Sequence, residues 1–199
     1  MKKILFCFGT RPEAIKMAPV IKETNDRGHK AIVCLTGQHK DMIIPFLNFF
    51  KINADFDLDI MKPNQSLAEM TSNILTKMTS VLDQVNPDIV CVQGDTTTTF
   101  TCGLAAFYKK IPVAHIEAGL RTGDIYSPFP EEANRRLVTA FAKYFFPPTK
   151  ESANNLKAEN ITNNVFVTGN TSIDALRMTS EAINSTGLNE EILYKYNFV

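Results

Sequence analysis

The chain has 199 residues, 44% of them hydrophobic, and its 21 basic and 21 acidic side chains leave a formal net charge of zero. This length allows one to two domains, and the apolar content is ample for one compact core and argues against a disordered chain. A zero net charge supplies no sequence-wide field for holding nucleic acid or an anionic membrane, although it leaves room for a local basic site.

The amino terminus and the cysteines favour a cytoplasmic protein. Met1 is followed by two lysines and then directly by a strand pattern, without the apolar core of a signal peptide. No apolar stretch approaches the ~18 residues of a membrane span. The four cysteines lack C-x-x-C spacing, so neither a zinc ribbon nor a redox pair is indicated; they are Cys7, Cys34, Cys91 and Cys102. We therefore expect reduced structural thiols, no metal site and no membrane insertion.

Short apolar runs alternate with helical patterns along the chain, and glycine ends most of the apolar runs. The predicted strands cover residues 4–8, 31–35, 89–92, 113–116, 144–146 and 165–167. The predicted helices cover residues 12–27, 41–50, 66–85, 97–109, 131–144, 150–159 and 173–183. This alternation predicts the α/β class, with right-handed βαβ units and a doubly wound, Rossmann-like parallel sheet covered on both faces.

Polar residues that directly follow the predicted strands are the first site candidates, because ligands of such sheets bind outside the carboxyl ends of the strands. The segment 9–16, with the sequence GTRPEAIK, places Arg11 and Lys16 near a helix start. Free backbone N–H groups and two cations there favour a phosphate or diphosphate. The segment lacks the G-x-G-x-x-G dinucleotide fingerprint, and an ordinary strand-to-helix turn with two exposed cations explains it equally well.

Three carboxylates are predicted for the same edge of the sheet. Asp95 follows a strand, although Asp95 or Thr96 could equally be a plain helix N-cap. Glu117 follows an apolar strand, where a carboxylate without a role is unexpected, whereas the helix dipole alone could explain Glu131 in the first turn of its helix. Acids beside an anion site suit general acid–base chemistry on a phosphorylated or nucleotide-linked substrate. His115 lies within a strand and is predicted to be a packed core histidine.

Seven segments of the chain together resemble the non-hydrolysing UDP-N-acetylglucosamine 2-epimerases. They are 9–19 (GTRPEAIKMAP), 36–39 (TGQH), 94–98 (GDTTT), 117–122 (EAGLRT), 127–135 (SPFPEEANR), 167–171 (VTGNT) and 173–176 (IDAL). The segments occur in the family's order and extend from Gly9 to Leu176. Their length and spread make the resemblance far more specific than a single glycine-rich loop.

The resemblance implies a glycosyltransferase-B-like fold of two Rossmann-like domains with the active site in the cleft between them. Members of the family interconvert UDP-N-acetylglucosamine and UDP-N-acetylmannosamine for cell-surface polysaccharide biosynthesis. They eliminate UDP to give 2-acetamidoglucal and add it back, with no nicotinamide or other cofactor. Carried over by motif, the catalytic acids are Asp95, Glu117 and Glu131, and the substrate contacts are Arg11 and Lys16. Gln38 and Gln65 resemble positions of an activator site that binds a second UDP-N-acetylglucosamine in bacterial members.

The chain departs from the family pattern at its carboxyl end, because no segment matches the His-Arg-Arg motif of the family's second domain. We expect residues 1–185 to form the amino-terminal Rossmann-like domain, and residues 186–199 to be a linker toward a second domain absent from this chain. The isolated domain is expected to be weak or inactive alone. The full-length parent is expected to be a homodimer that binds UDP-N-acetylglucosamine and UDP.

Two other functions stay open at this point. A non-catalytic UDP-sugar-binding or interaction module would keep the same residues without turnover. A hydrolysing epimerase or a related glycosyltransferase fits less well, because the run at residues 10–16 matches the non-hydrolysing group better.

Overall fold

The computed structural model describes residues 1–37 and 40–186, whose strands form one six-stranded parallel sheet in the order β3-β2-β1-β4-β5-β6. The strands are β1 (Lys3–Phe8), β2 (Lys30–Leu35), β3 (Phe56–Asp57), β4 (Ile89–Gln93), β5 (Val113–Ile116) and β6 (Tyr144–Phe146). The helices are α1 (Arg11–Asp26), α2 (Lys40–Phe49), α3 (Leu67–Val85), α4 (Thr97–Tyr108), α5 (Glu131–Phe141), α6 (Lys150–Ala158) and α7 (Thr171–Thr186). The predicted α/β class and parallel sheet are confirmed.

Both faces of the sheet are buried, because successive side chains of a strand point to opposite faces. In β1, Leu5 and Cys7 belong to a core shared with α3, α4 and α5, whereas Phe6 and Phe8 pack with α1 and α2. Helical cover on both sides explains why the strands are continuous apolar runs rather than alternating patterns.

The strand order reverses at β1, which lies between β2 and β4. The helix that follows β1 packs on one face of the sheet, and the helix that follows β4 packs on the other. The loops after these two strands therefore diverge and leave a crevice at the carboxyl edge of the sheet. Crevices at such reversals are the ligand sites of open α/β sheets.

Two of the predicted elements are wrong in extent or kind, and one strand is missed. α5 ends at Phe141 instead of residue 144, because Ala142 is already extended and β6 begins two residues later. Residues 165–167 do not form a strand; Val165 makes one parallel bridge with Phe145 beyond the edge of the sheet. β3 has only two residues, too short to show a periodicity in the sequence.

The four cysteines are buried and unpaired, as expected. Desolvation raises the pKa of the Cys91 thiol to about 12, so this thiol stays protonated at neutral pH. Within residues 1–37 and 40–186, no His, Cys, Asp and Glu side chains are grouped as metal ligands. No helix in these ranges is both long enough and apolar enough to cross a membrane.

Candidate active site

Glu117 lies at the centre of a polar cluster at the carboxyl edge of the sheet. The Lys16 ammonium is 2.8 and 2.6 Å from its two carboxylate oxygens, and the Asn170 side-chain amide donates to Oε1 at 3.0 Å. The Gln93 side-chain amide also donates to Oε2. The Glu117 side chain is 13% exposed, so this ion pair is largely shielded from water. A shielded carboxylate beside a cation and two amides is a group held in one orientation.

The four members of this Glu117 cluster come from four different segments. Gln93 ends β4, Glu117 follows β5, Lys16 lies in the second turn of α1, and Asn170 precedes α7. They meet because the carboxyl ends of parallel neighbouring strands share one edge, and because α7 packs against α1. The fold, rather than any local motif, assembles the cluster.

Asp95 is the centre of a second cluster, formed with the amino-terminal part of α5. Arg135 Nε and Nη2 lie 2.8 and 2.7 Å from Asp95 Oδ2, and the Asn134 side-chain amide donates to the Asp95 carbonyl oxygen at 2.8 Å. Arg135 also donates to Glu132, whose side chain is fully buried. Desolvation raises the pKa of the Glu132 carboxyl, but hydrogen bonds from Arg135, the Thr122 backbone and Arg136 hold that pKa below its ordinary value overall. An ionised network thus ties α5 to the loop after β4.

The Asp95 and Glu117 clusters are neighbours across Gly94. A Cβ atom at Gly94 would lie 3.8 Å from Glu117 Oε2, and the backbone there has a left-handed φ of +74°. His115 Nε2 lies 2.7 Å from the Gly94 carbonyl oxygen, and His115 is buried, as predicted. The structure therefore brings two of the three predicted acids to one place.

Glu131 and Arg11 are the first residues of helices, unlike Asp95 and Glu117, which lie in loops that follow strands. Glu131 begins α5 and precedes Arg135 by four residues, so both lie on the same face of that helix. The Glu131 side chain makes no hydrogen bond or ion pair with the part of the chain that the structure describes. Arg11 begins α1 and is exposed, and its guanidinium lies 6.0 Å from the ring centroid of Phe46 in α2. Arg11 is thus placed beside the crevice but turned toward α2.

Of the two residues assigned to an activator site, the structure describes only Gln65. Gln38 lies outside the described residues. Gln65 is described, and both polar atoms of its side-chain amide are buried without a hydrogen-bond partner among the described residues. It lines a small polar cavity of about 290 Å³ just before α3, together with Lys62 and Asn73.

Four side chains that shape the site escaped prediction, namely Gln93, Asn134, Arg135 and Asn170. All lie in or next to segments that carry the family resemblance, which is the only signal that could have singled them out. Their partners are 24 to 53 residues away in sequence. No local periodicity specifies contacts over such separations.

Comparison with known proteins identifies the family. Residues 22–198 match the family model described as UDP-N-acetylglucosamine 2-epimerase. The UDP-N-acetylglucosamine 2-epimerase of Neisseria meningitidis serogroup A is 54% identical over 201 residues, covering 99% of this chain and 54% of that protein. The chain belongs to the UDP-N-acetylglucosamine 2-epimerase family. It spans about half the length of the curated relatives it matches.

Solved structures agree with this family membership. The Neisseria meningitidis epimerase bound to UDP-GlcNAc has a TM-score of 0.94 to this chain at 53% identity, covering 99% of this chain and 54% of that one. The Methanocaldococcus jannaschii epimerase in complex with UDP-GlcNAc and UDP has a TM-score of 0.87 at 36% identity, with coverages of 99% and 54%. Acinetobacter baumannii MurG, at 17% identity and a TM-score of 0.60, shares the fold alone. The expected Rossmann-like half of a glycosyltransferase-B-like fold is confirmed.

Proposed function

We propose that this chain forms the amino-terminal half of the catalytic cleft of a UDP-N-acetylglucosamine 2-epimerase, which interconverts UDP-N-acetylglucosamine and UDP-N-acetylmannosamine. One observation carries the proposal: Asp95 follows Gly94, the Glu117 carboxylate lies beside Gly94, and each acid is held by a cation at the carboxyl edge of the sheet. The family match and the UDP-GlcNAc bound to the Neisseria meningitidis relative support it.

The chemistry of this reaction explains why several acids are needed. The C2 hydrogen of the sugar has no neighbouring carbonyl carbon and is barely acidic, so direct inversion at C2 is difficult. Elimination of UDP removes the C2 proton and breaks the C1–oxygen bond, which gives 2-acetamidoglucal. Re-addition of UDP returns a proton to the opposite face of C2. A base on one face and an acid on the other are therefore required.

In this proposal each site residue has a defined task. Asp95, Glu117 and Glu131 exchange protons with the sugar, because they match the family's catalytic acids and are partly exposed, whereas Glu13 and Glu132 are buried. Lys16 and Arg11 hold the diphosphate, since both lie in the first two turns of α1, where the helix dipole also favours an anion. Lys16 is at the same time the cation that orients Glu117.

We propose that the full activity belongs to a longer protein, because the chain spans about half the length of its relatives. We propose that residues 1–185 form the amino-terminal domain and that residues 186–199 lead toward a second domain that binds the uridine. Thr186 ends α7, and residues 187–199 lie outside the described residues. A cytoplasmic location is also proposed, and the four buried, unpaired cysteines support it.

We further propose that the full-length parent is a homodimer, with an aromatic patch on α4 and α5 as its contact surface. Phe107, Tyr108 and Leu137 are 52%, 64% and 47% exposed. The Phe107 ring stacks on the Phe141 ring, with centroids 5.8 Å apart. Phe141 lies one helical turn after Leu137 in α5. Contiguous exposed apolar surface of this kind is typical of an interface.

The test of the function compares this chain with a completed chain, extended past residue 199 by the carboxyl-terminal half of the Neisseria meningitidis relative. Formation of UDP-N-acetylmannosamine from UDP-N-acetylglucosamine is measured for both. We expect turnover by the completed chain and at least a ~1000-fold lower rate for the 199-residue chain, because substrate positioning supplies ~7–11 kcal/mol of such barriers. A full epimerase rate from the 199-residue chain would contradict the division of the site. UDP binding without turnover by the completed chain would favour a non-catalytic binding module.

A further inference from the structure

Glu13 is a buried carboxylate that none of the proposed catalytic steps uses. Glu13 is the third residue of α1 and is only 2% exposed. Oε2 accepts hydrogen bonds from the backbone N–H groups of Gly9 and Thr10, at 3.0 and 2.7 Å, and from the Thr10 hydroxyl at 2.8 Å. Oε1 accepts from the hydroxyls of Thr96 and Thr99, at 2.7 and 3.2 Å.

These five hydrogen bonds join two loops that would otherwise be independent. Gly9 and Thr10 form the loop between β1 and α1, whereas Thr96 is the N-cap of α4 in the loop after β4. The two loops lead to helices on opposite faces of the sheet. Glu13 spans the crevice between them, and two of its partners, Thr10 and Thr96, are the immediate neighbours of Arg11 and Asp95 in the sequence.

A helix cap alone does not account for this arrangement. Glu13 at the third helical position needs only Thr10 to complete the capping box of α1, and that box is present. Oε1 also accepts from Thr96 and Thr99, which are 83 and 86 residues away in sequence, and these hydrogen bonds cap no N–H group of α1. Burial raises the pKa of the Glu13 carboxyl above its ordinary value overall, although hydrogen bonds from Thr96, Gly9 and Thr10 act in the opposite direction. The donors therefore offset part of the desolvation of this buried acid and fix its orientation.

We infer that Glu13 is a positioning residue of the proposed epimerase site, whose carboxylate sets the spacing between the β1–α1 and β4–α4 loops and so between Arg11 and Asp95. The inference rests on the proposed function for its effect on catalysis. Its effect on the two loops does not depend on that function.

Two substitutions separate the positioning role from simple helix capping. Glu13→Asp keeps an acidic residue at the third helical position but is one methylene too short to reach both Thr10 and Thr96. Glu13→Gln keeps the length: its amide oxygen can accept from Gly9 and Thr10, and its NH2 group can donate to the Thr96 and Thr99 hydroxyl oxygens. Glu23→Asp is the matched control, because Glu23 is an exposed residue of the same helix.

Hydrogen exchange of the 199-residue chain reports on the loops directly. We expect Glu13→Asp to speed exchange of the segment 93–100 by about 10-fold or more, while the strand segment 30–35 exchanges as in the wild type. Glu13→Gln and Glu23→Asp should leave exchange of both segments within about twofold of the wild type. Two results would overturn the inference and show that Glu13 is only a helix cap. One is an exchange rate at 93–100 in Glu13→Asp equal to that of the wild type, and the other is an equally large increase in Glu13→Gln.

The completed chain tests the effect on the reaction. We expect Glu13→Asp to lower kcat by about 10-fold or more with a smaller change in KM, and Glu13→Gln to restore kcat to within about threefold of the wild type. An unchanged kcat for Glu13→Asp would overturn the catalytic part of the inference. If the wild-type completed chain has no epimerase activity, the proposed function fails, while the exchange measurement still decides the role of Glu13 in the loops.

Discussion

Glu117 combines the side chain of a proposed catalytic acid with an unfavourable backbone conformation. Its φ of +64° lies in the left-handed region, which costs about 1–3 kcal/mol for a residue other than glycine. Contacts with Lys16, Asn170 and Gln93 offset this cost in the folded chain. Backbone strain of this kind is concentrated at functional sites, because selection for stability alone would place glycine there.

The amide variants of the three acids test the assigned chemistry. In the completed chain, we expect Asp95→Asn, Glu117→Gln and Glu131→Gln each to lower turnover by about 100-fold or more, because an amide cannot exchange the proton. Glu131→Gln is the sharpest case: without a partner among the described residues, it should change the free energy of unfolding by only about 0.5 kcal/mol. Near-normal rates for all three variants would show that the acids are wrongly assigned. Glu151→Gln, at an exposed residue of α6, serves as the control.

The buried His115 predicts a pH dependence of stability. Desolvation lowers its pKa from 6.5 to about 4. As the pH falls from 6.5 to about 4, the unfolded chain binds a proton that the folded chain does not, so the folded state loses stability by roughly 3 kcal/mol. Above pH 6.5 this contribution is fully present.

Urea unfolding of the wild type and of His115→Gln at pH 7 and pH 4 measures this effect. Gln retains a donor for the Gly94 carbonyl oxygen but does not titrate. The wild type should lose roughly 3 kcal/mol more than the variant between the two pH values. Parallel losses in the two proteins would show that His115 does not stay neutral in the folded chain.

At the scale of elements, the loop that follows β5 is clamped onto α6. The Arg121 guanidinium donates to both carboxylate oxygens of Glu159, at 2.6 and 2.7 Å, and the Asn155 side-chain amide donates to the Gly119 carbonyl oxygen at 2.9 Å. The Arg121 hydrogen bond lowers the pKa of the Glu159 carboxyl. These contacts hold residues 117–121, which begin with Glu117, against α6.

Gly119 and Gly123 provide a matched test of the clamp. Both have left-handed φ values, +85° and +89°, but only a Cβ at Gly119 would meet a neighbour, the Ser152 carbonyl oxygen at 2.2 Å. We expect Gly123→Ala to lower the free energy of unfolding by about 1–2 kcal/mol, from the backbone conformation alone. Gly119→Ala should lower it by about 3 kcal/mol or more, because backbone atoms must also move. Equal losses in urea unfolding would contradict close packing of the loop on α6.

At the scale of the whole molecule, the described domain presents two different surfaces. The carboxyl edge of the sheet carries the paired charges of the site, whereas the exposed aromatic patch lies on α4 and α5, which pack together on one face. The proposed site and the proposed contact surface adjoin along α5, which contributes Glu131 and Arg135 to the site and Leu137 to the patch.

The aromatic patch is tested by charge substitution in the completed chain. We expect Leu137→Arg to convert a dimer to a monomer in light scattering, because a buried, unpaired cation opposes association. Met42→Arg is the control: Met42 is 48% exposed, close to the 47% of Leu137, but lies in α2, which packs on the other face of the sheet. Monomers in the wild type, or dimers in Leu137→Arg, would contradict the proposed contact surface.

The sequence by itself determined the architecture and predicted which edge of the sheet carries the candidate site. Continuous apolar runs such as residues 113–116 specify strands buried on both faces, and the intervening helical patterns specify a parallel sheet. The capping-box pattern at Ser66 and Glu69 is present in the structure, because it involves only neighbouring residues. Since Asp95 and Glu117 follow strands of one parallel sheet, the sequence also predicted their common edge.

Only the tertiary structure decided how these residues are paired. Lys16 and Glu117 are 101 residues apart, and the Glu13 contacts with Thr96 and Thr99 cross from one loop to another. Local periodicity carries no information about such partners, because they depend on strand order and on how helices pack. The single bridge at Val165 and the two-residue β3 likewise form only because a sheet edge is already there to pair with.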